Sequence, residues 1–301
     1  MPILNLSKLR PDVKQISVNR QNDILTGIEE FTQREENQGM DFMSIWDKAM
    51  KGNDLFFGNR GLNDELNNLL NHDEKIYLAR LFRHSSDHAA TIRQKNNPIL
   101  NDVDLEKTVF AGIRAEWQRT KGEAKDKVCL FVHGGGWILG SSHDHRLLSV
   151  SIAKSVGIPV LSIDYRLAPE HPFPYPLDDC VGAYSGLLSQ GYQPENIVIV
   201  GDSAGGNLAL TTLLKLRDDK IPLPAAGVAI SPATDFTFSD DSFFTNGETD
   251  PILADMGLFW WFTAYSAGAD LSDPLISPLF ANLEGLPPLL IQVSTCEMLH
   301  S

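Results

Sequence analysis

One serine of the sequence lies between glycines at a spacing suited to nucleophilic chemistry. The segment GDSAG (201–205) matches the pattern G-x-S-x-G, directly after an apolar run and directly before a helical pattern. This context predicts a sharp turn between a strand and a helix that presents Ser203 as the nucleophile of an acyl transfer. The alternative is a glycine-rich turn in which the serine caps the helix.

A second glycine-rich segment, HGGGW (133–137), follows another apolar run. Glycines in this place let the backbone approach a substrate and offer free amides to a developing oxyanion. We expect His133 and Gly134 to support this loop. The amides that we expect to bind the oxyanion are those of Gly135, Gly136 and Ala204. A flexible turn is the alternative interpretation.

The order of HGGGW, DYRLAPEHPFP (164–174) and GDSAGG (201–206) resembles the hormone-sensitive-lipase family of carboxylesterases. The likeness extends through CEML (296–299) and covers roughly residues 100 to 301. It implies an α/β-hydrolase fold with a helical cap over the substrate pocket, and hydrolysis of short-to-medium acyl esters through an acyl-enzyme intermediate. It also implies a scaffold role for the charged residues of the second motif: Asp164, Arg166, Glu170 and His171.

The order Ser, then Asp or Glu, then His is typical of the catalytic triad on this fold. Glu297 occupies the position where the resembling family carries its acid. The family's histidine lies further along, whereas only His300 follows Glu297 here, and three residues are too few for it to reach Ser203. We therefore expect a clipped chain that lacks the last strand, the last helix and the catalytic histidine, and that is nearly inactive by itself.

The elements around these motifs predict an α/β fold, with a mostly parallel, doubly wound sheet and helices on both faces. Helical patterns at about 145–156, 178–190 and 204–218 separate the predicted strands, which are 108–117, 127–133, 158–165, 196–202, 225–231 and 288–295. Residues 1–50 are expected to be an irregular or partly helical lead-in, and 41–95 to hold two or three amphipathic helices. We assign 1–100 to a helical cap region and 101–301 to an incomplete catalytic domain, with 233–270 as a cap insertion.

The formal net charge of −14, without a basic cluster, argues against binding to nucleic acid or an anionic membrane. No apolar run is long enough for a membrane anchor and no secretory signal is apparent, so a cytoplasmic location is the default expectation. The expected partner is a small-molecule ester, and homodimer formation stays open. Three scattered cysteines are interpreted as reduced packing residues: Cys129, Cys180 and Cys296.

We expect no cofactor and no metal. His143 and His145 lack the spacing of a zinc site and are interpreted as solvated loop histidines. Three tryptophans, in the glycine-rich motif and in the aromatic part of the insertion, are expected to line an apolar substrate pocket: Trp137, Trp260 and Trp261. Two alternatives to the esterase remain, namely a non-catalytic small-molecule-binding protein on the same fold and an inactive fragment.

Overall fold

The computed structural model describes residues 6–34, 37, 39–253 and 259–300. Its strands form one seven-stranded sheet in the order β1-β2-β4-β3-β5-β6-β7. Strand β1 is antiparallel to β2 and β2 to β4, whereas the strands from β4 to β7 are parallel. The strands are β1 (Val103–Phe110), β2 (Ile113–Thr120), β3 (Val128–Val132), β4 (Val160–Asp164), β5 (Ile197–Asp202), β6 (Ala226–Ile230) and β7 (Leu289–Gln292).

Nine α-helices lie in the described ranges: α1 (Pro11–Thr32), α2 (Phe42–Asn59), α3 (Asp64–Leu69), α4 (His72–Gln94), α5 (Arg146–Val156), α6 (Tyr175–Ser189), α7 (Ala204–Asp218), α8 (Ser242–Thr245) and α9 (Phe259–Ser266). Short 3₁₀ helices occupy Leu6–Lys8, Pro98–Leu100, Pro194–Asn196, Asn246–Glu248 and Pro278–Phe280. None of the helices in these ranges is long and apolar enough to cross a membrane.

The prediction of a single strand over residues 108–117 is wrong. Residues 108–117 cover the end of β1, a tight turn and most of β2, so the chain reverses within the predicted strand. Ala111 and Gly112 form this turn with φ angles of 49° and 83°. Because glycine has no Cβ, Gly112 adopts this left-handed backbone without steric strain, and the reversal costs little conformational energy.

The middle of the sheet is buried on both faces. Every residue of β3 is buried. One face carries Cys129 and Phe131 against Ala153 of α5, and the other carries Leu130 against the larger core that includes Leu208 of α7. This two-sided burial explains why the parallel strands read as continuous apolar runs.

Among the N-terminal helices, α1 lies along α4, and α2 packs against α3. Of the two alternatives for the lead-in, the helical one is confirmed, because α1 extends from Pro11 to Thr32 as a continuous helix. The expectation of two or three helices over 41–95 is confirmed by α2, α3 and α4. Helix α9, from the predicted insertion, contacts α2 and α3. Residues 254–258 of that insertion lie outside the described residues.

The cysteines differ in their surroundings. Cys129 and Cys180 are buried, as expected of packing residues, but Cys296 is exposed, so that interpretation is wrong for Cys296. Burial raises the pKa of the Cys129 thiol to about 12. The thiols inside the core are therefore unreactive.

Candidate active site

Ser203 stands at a strained turn between β5 and α7. Its φ and ψ are 54° and −120°, a combination that side chains rarely adopt and that occurs mainly at functional sites. The glycines on either side of the turn are required because no side chain fits there. A Cβ on Gly201 would lie 2.1 Å from the carbonyl oxygen of Gly205, and one on Gly205 would lie 2.0 Å from that of Val132. The turn therefore presses directly on the end of β3.

The glycine-rich loop after β3 lies beside this turn. Gly135 and Gly136 have positive φ angles of 115° and 60°, and the carbonyl of Gly135 accepts the amides of Ile138 and Leu139. Within the described chain, no acceptor binds the backbone amides of Gly135, Gly136 or Ala204. Unbound amides beside a nucleophile suit an oxyanion.

His133 lies under the loop and is fully buried. Its Nδ1 is 2.7 Å from the carbonyl oxygen of Gly134; because a carbonyl only accepts, Nδ1 carries the proton. The ring stacks on Tyr165, with 4.2 Å between ring centroids, and the Tyr165 hydroxyl donates to the His133 carbonyl at 2.8 Å. Burial, and then the nearby charge of His145, lowers the pKa of His133 to about 4.

The interpretation of His145 as a solvated histidine is wrong. Its side chain is 20% exposed, and its Nε2 lies 3.3 Å from Oδ2 of Asp202. Burial opposes a charge on His145, but the Asp202 carboxylate outweighs that effect and raises the pKa of the imidazole. His143 is also engaged, because its Nδ1 lies 3.0 Å from the guanidinium of Arg146. Sequence spacing gave no sign of either pair.

Ser203 lies in the walls of two cavities. The smaller, of about 280 Å³, is also lined by Gly135, Gly136 and Trp261 and by residues of α1 and α4. The larger, of about 610 Å³, contacts Ser203 and Glu297 together. The structure thus brings the predicted nucleophile, the predicted oxyanion glycines and the predicted acid around adjoining spaces.

Glu297 presents one carboxylate oxygen without a partner. Its Oε1 accepts the amide of Ser294 at 3.3 Å, while its Oε2 is buried and has no hydrogen-bond partner among the described residues. Asp250 holds this segment by accepting the Met298 amide at 2.9 Å. A buried carboxylate oxygen of this kind favours a donor in the adjoining space.

No histidine of the described residues lines the cavity between Ser203 and Glu297. His300 instead lines a separate apolar cavity with Leu210 and Leu214. The expectation that His300 is badly placed for Ser203 agrees with this position.

Two of the three predicted pocket tryptophans lie elsewhere. Trp137 is 2% exposed and stacks on Tyr265 with 4.5 Å between ring centroids, and Trp260 is fully buried. The prediction that these two line the pocket is wrong, because they fill the aromatic core under the insertion. Trp261 does line the smaller cavity, and a Cβ on Gly136 would lie 2.0 Å from its ring.

Residues 164–174 hold the loops around the site. Arg166 forms a bidentate ion pair with Asp179, with a shortest distance of 2.7 Å. Arg83 of α4 donates to both carboxylate oxygens of Glu170 at 2.7 Å and to the carbonyl of Ile138 at 2.6 Å. These contacts join α4 to the loop that follows the glycines.

A mostly parallel sheet with a nucleophile-type turn at the carboxyl end of β5 defines the α/β-hydrolase class. A family profile described as "alpha/beta hydrolase fold" matches residues 129–301. An acetyl-hydrolase of Streptomyces hygroscopicus is 43% identical over 186 residues, 62% of each chain. An esterase of Acinetobacter venetianus is 36% identical over 198 residues, 65% of each chain. The chain thus spans less than two thirds of the length of these curated relatives.

Among solved structures, an esterase from the bacterial hormone-sensitive lipase family matches with a TM-score of 0.69 and 36% identity. The match covers 84% of this chain and 80% of that chain. The chain belongs to the hormone-sensitive lipase family of the α/β-hydrolase fold.

Proposed function

We propose that this protein provides the nucleophile, the oxyanion site and the acid of a serine carboxylic-ester hydrolase. One observation carries the proposal: the strained Ser203 lines the same space as Gly135 and Gly136, whose amides have no acceptor among the described residues. Preorganised amides beside a nucleophile stabilise the tetrahedral intermediate of acyl transfer, each contributing about 3 kcal/mol.

In the proposed reaction the Ser203 hydroxyl oxygen attacks the ester carbonyl while an imidazole removes the serine proton. The oxyanion accepts hydrogen bonds from the backbone N–H groups of Gly135, Gly136 and Ala204. The imidazole then gives the proton to the leaving alkoxide, and water attacks the acyl-enzyme in the same way to release the acid and restore Ser203. Glu297 Oε2 orients the imidazole by accepting its second N–H.

The mechanism needs its base between Ser203 and Glu297, and no histidine of the described residues lines that cavity. The cavity of about 610 Å³ between Ser203 and Glu297 is large enough for an imidazole ring. A serine without a base is a poor nucleophile at neutral pH. The 301 residues are therefore expected to need an added imidazole for turnover.

The proposed substrates are small esters with short-to-medium acyl chains. The cavity beside the oxyanion amides measures about 280 Å³ and is walled by Phe82, Leu139 and Trp261 among others. A space of this size and apolarity fits a short acyl group better than a long chain. The name of the Streptomyces relative, an acetyl-hydrolase, supports the same class.

Imidazole rescue of p-nitrophenyl butyrate hydrolysis tests the proposal. We expect a protein-dependent rate that rises with imidazole concentration, after subtraction of the reaction of imidazole alone. The rate should be at least about tenfold lower for p-nitrophenyl palmitate, because the cavity excludes most of its chain.

The Ser203→Ala variant should remove this rate, and Glu297→Gln should lower it by a smaller factor, as losses of the acid do in other triads. Ser231→Ala is the matched control, because Ser231 lines the same cavity outside the turn. An unchanged rate in Ser203→Ala would contradict the proposal. Saturable binding of the ester without any rescued turnover would favour a small-molecule-binding protein instead.

A further inference from the structure

The peptide unit between Gly134 and Gly135 is held at its carbonyl end. His133 Nδ1–H donates to the Gly134 oxygen at 2.7 Å. The same planar unit carries the Gly135 N–H, which points the opposite way in a trans peptide. The direction of that proposed oxyanion donor therefore depends on how the backbone of Gly134 is fixed.

The preceding amide is held by the residue before the serine. Gly134 N–H donates to Oδ1 of Asp202 at 3.0 Å. The other oxygen, Oδ2, lies 3.3 Å from Nε2 of His145. The side chains of Asp202 and His145 are only 19% and 20% exposed, so water screens this pair weakly. One carboxylate thus joins the glycine loop, the serine turn and the residue that precedes α5.

The charges around the pair favour an ionic contact. Burial would raise the pKa of Asp202, but the charge and hydrogen bond of His145 lower it. The negative charge of Asp144 also raises the pKa of His145, whereas the positive charge of Arg93 lowers it. The ring of His133 lies 5.5 Å from that of His145 and stays neutral.

We propose that His145 is a positioning residue for the oxyanion loop, acting through Asp202 on the Gly134 amide. This inference rests on the proposed function for its catalytic meaning. Without His145 the Asp202 carboxylate keeps the Gly134 amide but loses its second anchor. It is then free to rotate and release Gly134, and the Gly135 amide loses its fixed direction. A charge-assisted hydrogen bond of this type is stronger than a neutral one.

The test uses two polar substitutions of His145 in the ¹⁵N-labelled 301-residue protein. In His145→Gln the side-chain amide nitrogen reaches the position of Nε2 and can still donate to Asp202. In His145→Asn the side chain is one methylene shorter and does not reach it. His143→Asn is the control, because His143 lies in the same loop as His145 but contacts Arg146, the first residue of α5.

We expect hydrogen exchange at the Gly134 amide to accelerate at least about tenfold in His145→Asn, as local opening becomes easier. Exchange should remain near the wild-type rate in His145→Gln and in His143→Asn. In imidazole-rescued hydrolysis, the kcat of His145→Asn should fall about tenfold with KM unchanged, as expected for loss of a transition-state contact.

Unchanged Gly134 exchange in a folded His145→Asn variant would overturn the proposal, and so would equal acceleration in all three variants. If His145→Asn does not fold, loss of Gly134 protection in a folded His145→Gln variant would overturn it, and retained protection would support it. The exchange measurement needs no turnover. A wild-type protein without rescued hydrolysis would therefore contradict the proposed function while the role of His145 is still decided.

Discussion

His133 and His145 are two imidazoles with 5.5 Å between ring centroids, and their surroundings shift their pKa values in opposite directions. Among the described residues His133 has no carboxylate in hydrogen-bond contact, and burial lowers its pKa. His145 contacts Asp202, which raises its pKa. The same residue type therefore loses affinity for a proton in one place and gains it in the other.

The lowered pKa of His133 predicts a loss of stability in acid. The unfolded chain binds a proton at this residue near pH 6.5, whereas the folded protein binds it only near pH 4. Below pH 6.5 protonation therefore favours the unfolded state, and His133 lowers the free energy of unfolding by up to roughly 1.4 kcal/mol per pH unit between these values.

Urea denaturation at pH 6.5 and pH 4.5 checks this prediction. The loss of unfolding free energy between the two pH values should be smaller in His133→Asn than in the wild type. His72→Asn, at an exposed position at the start of α4, should keep the wild-type loss. An equal loss in the wild type and in His133→Asn would show that His133 does not contribute.

At the scale of elements, the serine turn and the end of β3 are packed so closely that no additional atom fits between them. Gly205 lies against the carbonyl oxygens of Val132 and His133. Backbone on both sides prevents the neighbours from moving away. The position of Ser203 relative to the glycine loop is set by this contact between α7 and β3.

Gly205→Ala is therefore expected to lower the free energy of unfolding by roughly 3 kcal/mol, as overpacking against rigid backbone does. Gly58→Ala is the matched control, because Gly58 lies in α2 with nothing within 4 Å of the added Cβ. That change should raise stability by up to about 1 kcal/mol through helix propensity. Chemical denaturation of both variants decides, and a neutral Gly205→Ala would contradict the tight contact.

At the scale of the whole molecule, the described sheet has two edge strands, β1 and β7. Strand β7 exposes Leu290 and Ile291 at 59% and 53%. An apolar edge strand with free backbone groups is a template for pairing with a second chain.

We expect the 301-residue protein to self-associate through β7 and Ile291→Lys to reduce that association. A lysine on an edge strand blocks pairing without disturbing a buried contact. Ile16→Lys is the control, because Ile16 is also an exposed isoleucine (66%) but belongs to helix α1 and not to an edge strand. Sedimentation velocity at increasing concentration measures the effect. Equal association of Ile291→Lys and the wild type would place the contact elsewhere.

The sequence by itself determined the serine turn, the glycine loop and the parallel core strands. These features leave marks in the sequence: Gly201 is demanded by its contact with Gly205 inside the turn, and strands buried on both faces are continuous apolar runs. The site roles of Ser203 and Glu297 follow from the same motifs and remain proposals.

Only the tertiary structure decided which side chains meet across the chain. His145 reaches Asp202, Trp261 reaches the cavity while Trp260 enters the core, and Ala111 lies in a reversal within a predicted strand. Spacing along the sequence does not report such contacts, because residues distant in the chain meet only after the sheet and its helices have packed. Adjacent residues of a helix point in different directions because of its 3.6-residue period, so Trp260 and Trp261 meet different neighbours, and their residue type alone could not separate pocket from core.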